Sequence, residues 1–281
     1  MISTFLQASS LEEALRQKAE YGSSSMFIAG GTEINRLRTS VHCSTVISLK
    51  KLGLNQIVKS GTSCTIGSCS TFQSLVESAE IPAYLKESAR YCGSLQRRNM
   101  ATIGGNVVLQ RDDSYLMPTL VAAKARLLLA NLDQDGALCE ENIPIREYLG
   151  SKEHFVDSLL LAVILNKPTR FVSSLRFART VQSPAAVTLA LGADLSSGSA
   201  HDVRICAAVK GSGLFRLPEQ EEAISNGTYE ALDKELTFSI PSVQFVDDAT
   251  GSQRYKRYML GTGLAMLFRL CVESIGKGGA S

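Results

Sequence analysis

The sequence predicts a mixed architecture of strands and helices, and three observations support this fold class. Short apolar runs typical of buried strands alternate with segments of helical spacing. The chain has 281 residues, which is enough for two domains or for one large one. Hydrophobic residues make up 44% of the chain and charged residues 20%, a balance that can fill a core.

The first half of the chain begins with a helix and a short strand. Residues 11–19 place their apolar side chains on one helical face, and Ser9 or Ser10 can cap this helix. Residues 26–29 form an apolar run that predicts a buried strand. The same reasoning predicts strands at 45–49, 125–130 and 159–165, and helices from Thr71 onward, at 84–89 and, with proline in its first turn, at 116–123.

The last third of the chain continues this alternation. We expect strands at 172–177 and 203–209, and helices at 219–224 and 260–272. Residues 183–190 are small and apolar, and they are compatible with either a helix or a strand.

Two Gly-Gly pairs are the most informative local features. Gly30-Gly31 follows the apolar run at 26–29, and Gly104-Gly105 lies between Ile103 and Asn106. Because glycine adopts φ values closed to other residues, its amides can line a concave loop. A single pair is more often a tight turn, but two such units in one chain favour two walls of one phosphate-binding cleft. After the first pair, residues 33–37 are expected to begin a helix with its N-terminus near a phosphate.

Charge and targeting signals exclude several classes of protein. The net charge is +2, and no basic tract alternates with aromatic residues as in a single-strand nucleic-acid binder. Residues 1–5 lack the basic and apolar regions of a signal peptide. The apolar run 116–130 is interrupted by Pro118, Lys124 and Arg126, so we expect no membrane span and a cytoplasmic protein.

Metal ligation is not indicated by the spacing of cysteines or histidines. The seven cysteines are odd in number and irregularly spaced, which favours reduced thiols over disulfides. His42, His154 and His201 are far apart and have no metal-ligand spacing. We expect no metal site.

These stretches together resemble one family, the FAD-binding (medium) subunit of the molybdenum hydroxylases, such as xanthine dehydrogenase and carbon monoxide dehydrogenase. Ala29-Gly30-Gly31-Thr32 is similar to the first flavin loop of that family. Residues 98–106, Arg-Asn-Met-Ala-Thr-Ile-Gly-Gly-Asn, are similar to the second and more specific loop. Gly251-Ser252 followed by Tyr255-Lys256-Arg257 resembles the family's C-terminal signature.

The resemblance covers nearly the whole chain and implies an α+β fold. It implies a two-subdomain FAD-binding flavoprotein domain at 1–168, with subdomains at about 1–54 and 55–168. A C-terminal domain at 169–281, of a small antiparallel sheet and helices, would follow.

The resemblance also implies a function and a site. The cofactor would be FAD, and the chain would pass electrons between a [2Fe-2S] iron–sulfur subunit and an external acceptor, with a molybdopterin-binding subunit as the other partner. The flavin carries the redox chemistry, so no catalytic side chain is expected. The predicted cofactor-binding residues are Ile28, Ala29, Gly30, Gly31, Thr32, Glu33, Thr102, Gly104, Gly105, Asn106, Leu160 and Arg176.

Some of these roles have alternatives. Glu33 is either an acceptor for a ribityl or ribose hydroxyl or a carboxylate at a helix N-terminus, and Ile28 and Leu160 either contact the ring system or are plain core. Tyr115 stands where the family has an aspartate, which predicts weaker FAD binding unless Asp112 or Asp113 substitutes. The alternatives for the chain as a whole are a flavin-free structural assembly subunit and a stand-alone FAD-dependent reductase.

Overall fold

The computed structural model describes residues 2–36, 42–149, 151, 155–196, 198–228 and 243–278, and it divides into two compact units. Unit 1 comprises Met1–Ile81, Ser94–Leu109 and Ala125–Asn166, and unit 2 comprises Pro82–Gly93, Gln110–Lys124 and Lys167–Ser281. The units therefore interleave along the sequence. The contiguous domain boundaries at 1–168 and 169–281 stay a prediction.

The described residues form helices and strands in the following order. The helices are α1 (Leu11–Tyr21), α2 (Phe72–Glu77), α3 (Ala83–Arg90), α4 (Leu95–Met100), α5 (Ile103–Leu109), α6 (Met117–Ala122), α7 (Ile145–Tyr148), α8 (Pro218–Ser225) and α9 (Gln253–Gly278). The strands are β1 (Thr4–Gln7), β2 (Ser25–Ile28), β3 (Thr45–Ser48), β4 (Ile57–Ser60), β5 (Ser63–Gly67), β6 (Arg126–Leu132), β7 (Leu138–Pro144), β8 (Leu159–Leu165), β9 (Phe171–Phe177), β10 (Val187–Ser196), β11 (Ser199–Val209) and β12 (Gly213–Arg216). The α+β class is confirmed.

Unit 1 contains a small parallel sheet with strand order β1-β3-β2. Helix α1 connects β1 to β2, and the Ser10 side chain caps it by accepting a hydrogen bond from the Glu13 amide at 3.1 Å. This helix buries Ala14 and Leu15 in a core that also contains Ile47. The carboxyl ends of β2 and β3 lie at the same edge of the sheet because the two strands are parallel.

The second sheet of unit 1 is antiparallel, with strand order β4-β5-β8-β6-β7. Its central strand β8 has six of its seven residues buried, which explains why its sequence is a continuous aliphatic run. Leu159 and Leu161 from this strand join the core around helix α1. Helices α2, α4, α5 and α7 also belong to this unit.

Unit 2 is a four-stranded antiparallel sheet, β12-β11-β10-β9, covered by helices. Helix α9 buries Leu260, Leu264 and Leu267 in the core of this unit. A Cβ atom on Gly263 would stand 2.8 Å from the Phe177 ring, so glycine lets the helix approach the sheet closely. This arrangement agrees with the predicted small antiparallel sheet with helices.

Arg170 holds together several segments of unit 2. Its side chain is 1% exposed, donates to the Ala122 and Gly192 carbonyls at 3.1 Å each, and pairs with Asp194 at 2.7 Å. It also donates to the Asp202 carbonyl. Four of the five N–H donors of this guanidinium therefore have acceptors, which offsets most of the cost of burying its charge.

One helix in the described part of the chain, α9 over Gln253–Ile275, is long and apolar enough to cross a membrane by length and composition alone. A core helix of a soluble protein passes the same test. The buried leucines of α9 have the positions expected of a core helix. The absence of a membrane span stays a prediction.

Two local predictions are wrong. Residues 33–36 form a turn and not the start of a helix, and a hydrogen bond from the Asn35 amide to the Gly31 carbonyl at 3.1 Å closes this turn. Residue 37, which the prediction included, lies outside the described residues. The segment 101–106 is not a loop after a strand: it joins helix α4 to helix α5, which begins at Ile103. For residues 183–190 the sequence allowed either a helix or a strand, and the structure shows a strand: β10 begins at Val187.

Candidate functional site

A pocket of about 370 Å³ lies within unit 1, between the first Gly-Gly segment and the connection from α4 to α5. Four chain segments meet there: the end of β2, the turn after β3, the start of α2 and the α4–α5 connection. The lining residues are Ala29, Gly30, Leu49, Lys50, Leu54, Asn55, Cys69, Thr71, Asn99, Met100 and Thr102.

The first glycine loop presents unpaired backbone donors. Across the residues that the structure describes, the N–H groups of the four residues from Ala29 to Thr32 donate no hydrogen bond. Gly31 has φ +68°, a left-handed conformation that favours glycine. Successive free amides in such a turn form a concave binding place for an anion. Gly31 therefore has the backbone conformation that we expected of a glycine in this loop.

The second Gly-Gly segment has a different role. Its amides are already used: Ile103 donates to the Ser70 carbonyl at 3.0 Å, Gly104 to the Ser68 carbonyl at 2.8 Å, and Gly105 to Thr102 Oγ1 at 3.1 Å. Neither glycine has a positive φ, so the expectation of a special backbone conformation here is wrong. A Cβ on Gly104 would stand 2.7 Å from the Ser68 carbonyl oxygen, and glycine therefore serves close packing.

Thr102 connects this packed segment to the pocket. Its Oγ1 accepts the Gly105 amide, and its side chain lines the cavity, so the hydroxyl proton remains available to a ligand. Thr71, at the start of α2, is arranged similarly, with Oγ1 accepting the Ser74 amide at 3.1 Å. Both hydroxyls can donate to phosphate or sugar oxygens.

The structure brings together only part of the predicted site. Ala29, Gly30 and Thr102 line the pocket, and Ile28, Gly31 and Thr32 adjoin them in the chain. Glu33 lies in the turn that follows and pairs with Arg36 at 3.7 Å, so its interpretation as a helix N-terminal carboxylate is wrong. Gly104, Gly105 and Asn106 lie in the first turn of α5 and are not lining residues.

Two predicted residues lie elsewhere in the fold. Leu160 is a core residue of β8 with 5% exposure. Arg176 lies on β9 in unit 2, where it donates to the Ser183 carbonyl and its guanidinium carbon lies 6.0 Å from the centre of the Tyr115 ring. The cofactor-binding roles of these residues stay predictions.

Asp112 and Asp113, which were expected as possible substitutes for the family aspartate, are held by cations of unit 2. Asp112 accepts from Lys210 Nζ at 2.7 Å and from the Gly211 amide at 2.8 Å. Asp113 pairs with Arg111 at 2.7 Å. Both carboxylates are therefore already engaged by groups of unit 2.

Sequence reasoning missed several lining residues, including Lys50, Cys69 and Asn99. Lys50 had a usable signal, since it follows β3 at the same sheet edge as the glycine loop, where parallel strands bind ligands. Asn99 also had one, since it belongs to the motif at 98–106, whereas Cys69 had none. Burial raises the pKa of the Cys69 thiol, although a hydrogen bond with Ser68 opposes this, and a protonated thiol is a weak nucleophile.

The residues present fit a dinucleotide. FAD carries two phosphates that need donors. The pocket lining offers the unpaired amides of Ala29 and Gly30 together with two hydroxyls, and the unpaired amides of Gly31 and Thr32 follow in the chain. In the described part of the chain no group of three or more metal-ligating side chains occurs, and His154 lies outside it.

Fold and pocket together define an α+β protein with a loop of unpaired amides beside a pocket. Residues 1–167 match the family described as the FAD binding domain in molybdopterin dehydrogenase. The chain belongs to this family, and the resemblance inferred from the glycine motifs is confirmed, with FAD as the cofactor.

Individual proteins with known sequences or structures support this assignment. The chain is 30% identical over 275 residues to the protein described as "Uncharacterized protein YgfM" of Escherichia coli (strain K12), covering 98% of each chain. It is 32% identical over 174 residues to the 6-hydroxypseudooxynicotine dehydrogenase complex subunit alpha of Paenarthrobacter nicotinovorans, covering 58% of this chain and 56% of that one. The fold is similar to a chain of the reconstituted CO dehydrogenase from Oligotropha carboxidovorans, with a TM-score of 0.80, 19% identity and coverage of 95% and 96%.

Proposed function

We propose that this chain is the FAD-binding electron-transfer subunit of a molybdenum hydroxylase-type, xanthine dehydrogenase-like complex, and that it passes electrons between a [2Fe-2S] subunit and an external acceptor. The observation that carries the proposal is the row of unpaired amides from Ala29 to Thr32 at the pocket edge of a chain from an FAD-binding family. When bound, FAD supplies the redox chemistry by accepting and releasing electrons.

The residues of this chain act by binding and orientation. The loop amides donate to phosphate oxygens, and the absence of a Cβ on Gly30 lets the loop pack against the Met100 carbonyl. The Thr71 and Thr102 hydroxyls donate to further oxygens of the cofactor, while their own oxygens are fixed by the first-turn amides of α2 and α5. No side chain is needed as a nucleophile or a general acid.

The proposal includes partner subunits. A relative of this chain is a subunit of a dehydrogenase complex. All seven cysteines are free, and none belongs to a metal-holding group within the described ranges. The iron–sulfur and molybdopterin centres accordingly belong to partner chains, and this chain alone, in the cytoplasm, would not oxidise the substrate.

A native pull-down tests this proposal. The chain, tagged at its gene and isolated from the source cell without added flavin, is expected to bring down two further polypeptides together with iron and molybdenum measured by elemental analysis. Recovery of the flavin-loaded chain alone, with reductase activity, would contradict it and support the stand-alone reductase.

The second candidate is a flavin-free assembly subunit, and one observation favours it. Tyr115 replaces the family's aspartate, and Asp112 and Asp113 are engaged by Lys210 and Arg111. In the same pull-down, a complete complex that contains no FAD by chromatography of the extracted cofactor would favour this candidate.

A further inference from the structure

The pocket of unit 1 has an unusual distribution of charge. Of the eleven described residues that line it, Lys50 alone carries a charged side chain, and none is a carboxylate. The remaining polar contributions come from Asn55, Asn99, two threonines and one thiol. The cavity is thus electropositive at one place, and it contains no charge that would repel an anion.

Lys50 is placed in the pocket by the parallel sheet. It follows β3, and its neighbour Leu49 donates its amide to the Ile28 carbonyl at 3.0 Å, immediately before the first glycine loop. This bond ties the backbone next to Lys50 to the backbone next to Ala29. The ammonium and the free loop amides consequently belong to the same edge of the sheet.

The charge of Lys50 is not paired within the part of the chain that the structure describes. Its side chain is exposed and forms no ion pair with any residue in the described ranges. Other lysines of the chain, such as Lys18 and Lys256, are buried and bonded to carbonyl and carboxylate oxygens. Lys50 has no comparable structural partner to explain its position.

From these observations we infer that the Lys50 ammonium binds the diphosphate of the dinucleotide held by the glycine loop. The inference rests on the proposed FAD-binding function and adds to it the residue that supplies the charge. Backbone amides give directional hydrogen bonds to phosphate oxygens, whereas lysine acts as a compact point charge that offsets the negative charge of the group. The free amides and the ammonium are complementary in this respect.

Lys51 provides a matched control. It is the adjacent lysine, is also exposed, and does not line the pocket. Hydrogen bonds from Ser9 hold the pKa of the Glu13 carboxyl below its ordinary value, and the charge of Lys51 adds to this effect, which places Lys51 on the side of helix α1. Lys50→Ala and Lys51→Ala change the net charge of the protein equally, so a difference between them reports on the pocket.

The test is a titration of FAD into the flavin-free full-length chain, followed by flavin fluorescence, for the parent, Lys50→Ala, Lys50→Arg and Lys51→Ala. We expect Lys50→Ala to raise Kd by about threefold to tenfold, between the effects of an exposed ion pair and a charge-assisted hydrogen bond. Lys51→Ala and Lys50→Arg should stay close to the parent. Added salt should reduce the difference in Kd between the parent and Lys50→Ala, because screening weakens an exposed ionic contact.

Each contrary outcome is decisive. Equal Kd values for Lys50→Ala and Lys51→Ala overturn the inference while leaving FAD binding intact. Weak binding by Lys50→Arg as well as Lys50→Ala shows that positive charge is not the cause, and this also overturns it. If the parent itself takes up no FAD, the proposed function fails and the inference falls with it.

Discussion

The carbonyl oxygen of Met100 lies 1.6 Å from the point where a Cβ atom on Gly30 would stand. The two residues are far apart in sequence, and they meet at the wall of the pocket, where Met100 ends helix α4 and Gly30 lies in the first glycine loop. Only a residue without a side chain allows this approach, since a backbone carbonyl cannot turn away as a flexible side chain can. The contact fixes the loop whose amides are unpaired.

Gly30→Ala is therefore expected to impair both folding and binding. The added methyl group must displace the loop or the end of α4, which should destabilise the protein by about 1–3 kcal/mol, as overpacking does elsewhere. FAD binding should fall with it. Urea unfolding and FAD titration measure the two effects.

Gly105→Ala is the control for this change, because a Cβ there would meet only Thr102 Oγ1, at 3.2 Å. Parent-like stability and FAD affinity in Gly30→Ala would show that the loop does not depend on the contact with Met100.

Gly105→Val should reduce bound flavin more than stability. Apart from its own helix turn, no backbone atom lies within 4 Å of a Cβ at this position, so the fold can accept the side chain. The branched methyl groups would instead crowd Thr102, whose hydroxyl faces the pocket. FAD content and the melting temperature should be measured on the same preparation.

Gly104→Ala should behave differently, because its Cβ would stand 2.7 Å from the Ser68 carbonyl oxygen and should lower the melting temperature. Unchanged flavin content in Gly105→Val would count against a role for Thr102 in the site.

Local sequence signals predicted much of the fold correctly. The capping serine and apolar face of residues 11–19 became α1, and the aliphatic run 159–165 became β8 with the same bounds. The segment 101–106 was misread because glycine is a poor helix former. There, packing of Gly104 on Ser68 decides the conformation, and no local signal reports a contact between segments that are distant in sequence.

Site residues could be predicted from the sequence only where they belong to a Gly-Gly motif. Ala29, Gly30 and Thr102 were found because they belong to the Gly-Gly motifs. Lys50, Cys69 and Thr71 were not, because the pocket assembles from four separate segments and only the tertiary structure brings them together. The same limit applies to Arg176. No spacing pattern in the sequence indicated its contacts with Ser183 and Tyr115 in unit 2.

Acid should reveal the ion pair between Asp248 and Lys256. The Lys256 ammonium is fully buried, lies 2.7 Å from Asp248 Oδ2, and also donates to the Lys210 and Val246 carbonyls. Partial burial opposes ionisation of Asp248, but hydrogen bonds from Lys256 and Thr250 lower its pKa from 3.8 to about 2. Because the folded-state pKa is depressed, the stabilisation is complete above 3.8 and is lost as the pH falls toward 2.

Asp248→Asn should consequently cost about 1–3 kcal/mol of unfolding free energy at neutral pH. The difference in unfolding free energy between parent and variant should disappear as the pH falls from about 4 to 2, because protonation of Asp248 is coupled to unfolding. Denaturant unfolding at a series of pH values measures it.

Asp157→Asn is the control for the ion pair. It removes the partner of another buried lysine, Lys18. The Asp157 side chain is 80% exposed and its Oδ1 lies 3.7 Å from Lys18 Nζ, so the loss of unfolding free energy should be small. A gap for Asp248→Asn that stays constant down to pH 2 would exclude the ion pair as the source of the stabilisation.

The measurement that tests the central claim most directly is the cofactor content of the purified full-length chain. We predict that it is yellow, and that acid precipitation releases FAD, identified by chromatography, into the supernatant. Neither glycine loop contains a cysteine or histidine, and the pKa of the half-buried Cys69 thiol of the pocket is raised, which disfavours the reactive thiolate. Colour retained in the pellet would instead indicate a covalent flavin. A colourless chain that also binds no FAD on titration would contradict the account.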